Sequence, residues 1–312
     1  MNERASLRRG WCPSITRPME SGDGLIVRMR PCEQSITTPQ LRALAHAAER
    51  YGNGIIELTR RAALQIRGVT ADSLAHLQDA LREADLFNED EKCLLAEIDL
   101  QEIRANIGLA TTLTGVWFGI GIPFGAADAA QWQGLAELAE RFGTGEIRLT
   151  AWRTVRLPLF AAQDAQALAV ATQALHLITE PQDARLSLVA CPGAPACASA
   201  QGSTRAAALM LAAEAPLLFD GATMLHVSGC AKSCAHTGPA TIALLADEDG
   251  YRLGLNASVT EIENTRPIPL NIITTHLRTL AARFACEAQS NESAAAFLSR
   301  VKPALPDAIE NV

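Results

Sequence analysis

One stretch occurs twice, and the fold follows from it. YGNGIIELTRRAALQIRG (51–68) lies over FGTGEIRLTAWRTVRLPL (142–159) without a gap, so residue n of the first copy answers to n + 91 of the second. An aromatic residue, a Gly-x-Gly, an Ile and a Leu-Thr pair recur at matching positions, with arginines close behind. The match extends backwards. GLIVRMRP (24–31) leads into LRALAHAAERYG (41–52), and VWFGIGIP (116–123) leads into LAELAERFG (135–143). Each copy therefore reads strand, helix, strand. Leu41, Leu44, Ala45 and Ala48 share one helical face, as do Leu135, Leu138, Ala139 and Phe142. Thr37-Thr38-Pro39 and Ala127-Asp128 read as helix starts. A further helix closes each copy, DSLAHLQDALREADLF (72–87) and AQDAQALAVATQALHLI (162–178). Two tandem α+β halves of like design commonly enclose a ligand cleft.

From 181 onward the composition changes. Four of the eight cysteines stand in two close pairs, Cys191/Cys197 in VACPGAPACASA (189–200) and Cys230/Cys234 in HVSGCAKSCAHTGPA (226–240). Each pair follows an apolar run read as a buried strand, LSLVA (186–190) and TMLHV (223–227). Small residues fill the loops, so backbone N–H groups can approach the sulfurs. Structural zinc favours C-x2–4-C pairs. The spacing here is C-x5-C and C-x3-C, which suits a bulkier [4Fe–4S] cluster better; zinc and free thiols are the alternatives. Around the loops come an Ala-rich helix (204–215), a hairpin over 241–258 turning at Asp249-Gly250, a Pro-broken loop (265–271) and two helices, 270–288 and 292–305.

The net charge of −7, without a basic tract, points away from nucleic acid. The opening MNERASLRRGW lacks the apolar segment of a signal peptide. Residues 105–127 carry no charge, but their glycines, threonines and Pro123 read as a connector and a buried strand rather than a membrane span. The expected compartment is the cytoplasm, where paired cysteines mean metal rather than disulfides. Lysine is confined to Lys92, Lys232 and Lys302, so arginine carries nearly all the positive charge. Guanidinium forks match carboxylates, although an arginine-rich composition alone has the same look.

The pattern C-x5-C…GC-x3-C resembles the cluster motif of the sirohaem-dependent sulfite and nitrite reductase superfamily. SGCAKSCAHTGP (228–239), RGWCPSITRPMESGDGLIVRMRP (9–31) and ELTRRAALQIRGV (57–69) resemble one branch of it, the precorrin-3B synthases of aerobic cobalamin biosynthesis. The fold this implies is α+β. A first ferredoxin-like half-domain covers 1–90, a shortened connector 91–113, a second half-domain 114–180 and an α/β iron–sulfur domain 181–312. The activity implied is an oxidoreductase, a monooxygenase converting precorrin-3A to precorrin-3B. It would use O2, a [4Fe–4S] cluster on Cys191, Cys197, Cys230 and Cys234, and sirohaem or a non-haem iron. Cys234 would join the cluster to a haem iron. Electrons from NADH would arrive through a separate reductase, since no G-x-G-x-x-G fingerprint is present.

The Arg61-to-Gln65 step resembles the family's Thr-x-Arg-x-x-x-Q signature, whose side chains face the tetrapyrrole. On a single strand the two would share a face, continued by Arg67. Arg28 and Arg30 alternate on the opening strand. Trp152 and Arg156, with Arg153 beside them, are the second copy's counterparts. Arg104, in Arg104-Ala-Asn106, resembles a carboxylate ligand. A surface salt bridge is the rival reading for any one of these. His236 reads as an iron ligand, a carboxylate donor or a loop histidine held by backbone; Lys232 reads as offsetting cluster charge or facing water. Cys32, Cys93 and Cys286 read as buried small apolar residues, and Cys12 is left open between packing and function.

The chain departs from the family in two respects. Only Asn88–Thr114 separates the halves where the family has a full domain, and the Lys-x-Lys pair of that domain is missing. A homodimer is one way to restore the lost cleft wall. The alternatives are a sirohaem-dependent sulfite or nitrite reductase, and a truncated cluster protein without enzymatic activity.

Overall fold

Reciprocal exchange of one short strand ties the two copies of the repeat together. A computed structural model of the chain describes residues 12–87, 99–113 and 115–301. The first copy runs β1 (Met19–Ser21), β2 (Gly24–Met29), a 3-10 turn (Cys32–Gln34), β3 (Ser35–Thr37), α1 (Thr38–Tyr51), β4 (Ile55–Leu58), β5 (Leu64–Val69) and α2 (Ala71–Glu83). A short α3 (Leu100–Ala105) follows, and then the second copy. It runs β6 (Gly108–Thr112), β7 (Gly115–Gly121), a 3-10 turn (Pro123–Gly125), β8 (Ala126–Asp128), α4 (Ala129–Phe142), β9 (Glu146–Leu149), β10 (Thr154–Leu159) and α5 (Ala165–Ala174).

The offset of 91 holds beyond the quoted stretch. Left-handed backbone recurs at Glu33 and Phe124, at Ala62 and Arg153, and at Asp85 and His176. Both long helices start from a capping box, Thr37 with Gln40 and Asp128 with Gln131. The sheets then interlock. One has the order β1-β2-β5-β4-β8, the other β3-β9-β10-β7-β6, so each copy lends its pre-helical strand to the other's sheet. Helices α1 and α4 pack over one continuous core that runs from Ile15 to Leu177. The Trp132 indole N–H on α4 donates to the Ile56 carbonyl on β4, 3.3 Å away. The two halves fall together within one compact unit, Gly10–Asp183.

One expectation about the strands needs correction. ELTRRAALQIRGV does not run as one strand. The Thr59 hydroxyl accepts from the N–H groups of Arg61 and Ala63, Ala62 takes φ 50°, and the chain reverses between β4 and β5. Arg61 therefore sits in the turn, off the strand that carries Gln65 and Arg67. Within the stretch read as a connector, β6 pairs with β7 along its length, the counterpart of β1 with β2. Lys92 and Cys93 of that stretch lie outside the described residues, as does Lys302.

The second unit falls within Ala184–Val312. Its sheet joins β11 (Leu188–Ala190), β12 (Leu225–Ser228), β13 (Ala240–Asp247) and β14 (Gly250–Ala257) in that order. The first three strands are parallel, and β14 returns antiparallel through the expected hairpin. Helices α6 (Arg205–Glu214), α7 (Leu270–Glu287) and α8 (Ala294–Val301) accompany it. No helix among the described residues is long and apolar enough to cross a membrane.

Candidate functional site

The cysteine loops leave the carboxyl ends of β11 and β12, neighbouring parallel strands, where open α/β sheets place their ligand sites. Cys191 follows β11 directly and Cys230 follows β12 by two residues. The loops are tied to each other. The Gly229 N–H donates to Cys191 Sγ at 3.2 Å, and Gln201 N–H donates to the Gly229 carbonyl at 2.8 Å. A Cβ on Gly229 would stand 2.6 Å from the Ala200 Cβ, so only glycine allows the approach. Lys232 Nζ reaches across to Ser199 Oγ, 2.7 Å.

Burial pushes the Cys230 thiol above its ordinary pKa. The Lys232 backbone N–H and ammonium favour its thiolate, while nearby Cys191 and Cys197 oppose it. Three sulfurs close enough to sense one another, with N–H donors aimed at two of them, suit a polynuclear centre whose charge is spread over several thiolates. Among the described residues no three His, Cys, Asp or Glu side chains gather tightly enough to hold a single metal ion. Cys234 is exposed in the same loop. His236 Nε2 lies 3.0 Å from the Pro239 carbonyl and its ring meets the buried His226 ring edge-on at 5.5 Å. Cys32 and Cys286 are exposed, contrary to the expectation of burial: Cys32 opens a surface 3-10 turn and Cys286 lies in the exposed last turn of α7.

The other unit carries the arginines singled out from the sequence. In the first copy, Arg28 donates twice to Gln65 Oε1, at 3.0 and 2.8 Å. Gln65 Nε2 donates to Glu57 Oε2 at 2.6 Å. Arg67 is paired with Asp23 at 2.8 Å and Glu57 at 3.4 Å, and is 3% exposed. Burial works against the Arg67 charge, but Glu57 and Asp23 outweigh it and raise its pKa. Burial, with help from Arg30 and Arg61, lowers that of Arg28, against a hydrogen bond to Cys12. The face is thus filled by its own network.

In the second copy the same face is open. A cleft of about 530 Å³ is lined by Trp117, Trp152, Arg148, Arg156, Asn106 and, from the first copy, Glu33 and Gln34, among others. Gly119 stands where the first copy has Arg28. A Cβ there would run into the Asn106 carbonyl oxygen. Asn106 accepts from the Arg156 guanidinium and donates to the Glu102 carbonyl at 2.7 Å. Arg148 is held by Glu146 at 3.1 Å and lies over the Trp117 ring at 5.1 Å. The Ser35 hydroxyl on the exchanged strand β3 donates to Glu146 at 2.6 Å. That bond first, and Arg148 second among the favourable contacts, lowers the Glu146 pKa.

Of the arginines read from sequence, Arg156 alone lines this cleft. Arg104 is buried and donates to the Pro181 carbonyl; Arg153 packs its chain beside Gly125. Arg148, Trp117 and Asn106 were missed. The signal was present: at an offset of 91, Arg148 answers to Glu57, a reversal of charge on a ligand-facing strand.

The nitrite/sulfite reductase ferredoxin-like half domain matches residues 17–84 and 111–175, one match on each copy. Each copy thus has the ferredoxin-like fold of that half domain. The chain is similar to a precorrin-3B synthase from Sinorhizobium sp, 26% identical across 81% of this chain and 84% of the relative. That alignment runs over 388 positions, of which 81% of 312 residues fills about 253, so roughly 135 fall in gaps of the shorter chain. The chloroplastic ferredoxin–nitrite reductase of Zea mays is 32% identical over 43% of this chain but only 25% of its own length. The fold is that of the Mycobacterium tuberculosis NirA protein, with a TM-score of 0.68 over 88% of this chain and 83% of that one, at 12% identity.

Proposed function

We propose that the chain is an oxidoreductase of cobalamin biosynthesis of the precorrin-3B synthase type, acting on a carboxylate-rich tetrapyrrole. The observation that carries this reading is the second copy's cleft. Its two indoles offer flat surfaces to a macrocycle, and its two arginines offer forks to carboxylates. A volume of about 530 Å³ falls within the ordinary range for small-molecule sites. The similarity to precorrin-3B synthase spans four fifths of the chain, whereas the nitrite reductases are matched over about a quarter of their length.

Cys191, Cys197, Cys230 and Cys234 would hold a [4Fe–4S] cluster, which when bound supplies one-electron transfer. Gly229 N–H, Lys232 N–H and the Lys232 ammonium would stabilise the thiolates. Arg148 and Arg156 would bind and orient the substrate carboxylates, and Trp117 and Trp152 would exclude water from the ring faces. O2 is the proposed oxidant, with electrons from NADH delivered by a separate reductase. Sirohaem or a non-haem iron completes the proposed cofactor set.

Anaerobic purification with iron and sulfide analysis, followed by a precorrin-3A turnover assay with O2 and a reductase, tests the reading. The expected result is about four iron and four sulfide per chain, and formation of precorrin-3B. Zinc without acid-labile sulfide, or an iron-loaded protein that leaves precorrin-3A unchanged, would overturn it.

A further inference from the structure

The turn ahead of β3 holds two consecutive residues in left-handed backbone, Glu33 at φ 53° and Gln34 at φ 57°. Such a residue costs about 1–2 kcal/mol when it is not glycine. The second copy has Phe124 and Gly125 at these positions, and there glycine is forced, because a Cβ would run into the Leu58 carbonyl oxygen. The first copy places a glutamine where the repeat has glycine. Its backbone N–H donates to the Pro31 carbonyl at 3.2 Å, while its side-chain amide makes no hydrogen bond among the described residues.

Strand exchange decides where that amide goes. Ser35, the next residue, pairs with Arg148 in the β3–β9 register. Glu33 and Gln34 thereby line the second copy's cleft alongside Arg148 and Arg156. Strained backbone at a ligand site is kept where the side chain it displays is used.

We infer that Gln34 is a specificity-determining residue, its amide N–H donating to a substrate carboxylate that Arg148 and Arg156 neutralise. This rests on the reading that the cleft takes a carboxylate-rich tetrapyrrole. The first copy thus supplies a contact that the second copy's own residues do not.

The test is a fluorescence titration of the full chain with uroporphyrin, an octacarboxylic porphyrin, alongside thermal melts. Gln34→Gly removes the amide and suits the left-handed backbone. Its Tm should equal or exceed that of the parent while its affinity falls about tenfold, the loss of one hydrogen bond to a charged group. Gln34→Asn keeps an amide and tolerates the same backbone, and should recover most of that affinity. A glycine variant that binds as tightly as the parent, or one whose affinity and Tm fall together, would overturn the inference. So would an asparagine variant as weak as the glycine one. A parent chain that does not bind uroporphyrin would sink the cleft reading itself.

Discussion

The same sheet face occurs twice in this molecule, once filled and once open. In the first copy, Arg28, Gln65, Glu57, Arg67 and Asp23 form a chain of hydrogen bonds and ion pairs. In the second, the equivalent positions of the first four are Gly119, Arg156, Arg148 and Pro158. Both acids of the network are lost and an arginine takes the place of Glu57. The first copy's arginines are taken up by acids and an amide of their own face, whereas Arg148 and Arg156 border an open cleft on the equivalent backbone. One face stabilises the fold, and the other is free to recognise a carboxylate ligand.

The largest effect should come from breaking the filled face. Arg67→Ala takes the cation away from the buried Glu57 and the half-buried Asp23, and should cost about 3–5 kcal/mol in urea unfolding. Pro158→Ala at the equivalent position has no such partner to strand and should cost less than about 1 kcal/mol. Equal losses would erase the distinction between the faces.

Next, the open face should tolerate what the filled one does not. Replacing both Arg148 and Arg156 with Met should change stability by less than about 1 kcal/mol, because both are exposed and their contacts are partly solvated. Uroporphyrin binding should nevertheless weaken by more than tenfold. A large drop in stability would mean that these arginines, too, are structural.

The smallest effect concerns the join between the copies. Arg42 on α1 and Glu140 on α4 form an ion pair, and Arg42 first, then Thr38, lowers the Glu140 pKa to about 2. The folded pKa lies below the ordinary value of 4.5, so the contribution is present above pH 4.5 and is lost as pH falls toward 2. Thermal melts of the parent and Glu140→Gln should differ slightly near neutral pH and converge near pH 2.

Much of this was legible in the sequence. The repeat, both capped helices and the cysteine strands rest on local periodicity and spacing. Leu41, Leu44, Ala45 and Ala48 are buried as read, and so are Leu135, Leu138, Ala139 and Phe142. The strand exchange was not legible, because Ser35–Thr37 and Ala126–Asp128 are three residues each and their partners lie about 110 and 70 residues away in sequence. The Thr59 turn hid inside a run that alternates like a strand. Arg67 read as a ligand-facing cation because Asp23, 44 positions earlier, gives no local sign of pairing with it.

The most direct test of the central claim is amide hydrogen exchange with and without saturating uroporphyrin. New protection is expected in the second copy, over β6, β7 and the β9–β10 turn, and at the Glu33–Gln34 turn, with β2 and β5 unchanged. Protection confined to β2, β5 and the Arg61 turn would place the ligand on the filled face of the first copy, the contrary result.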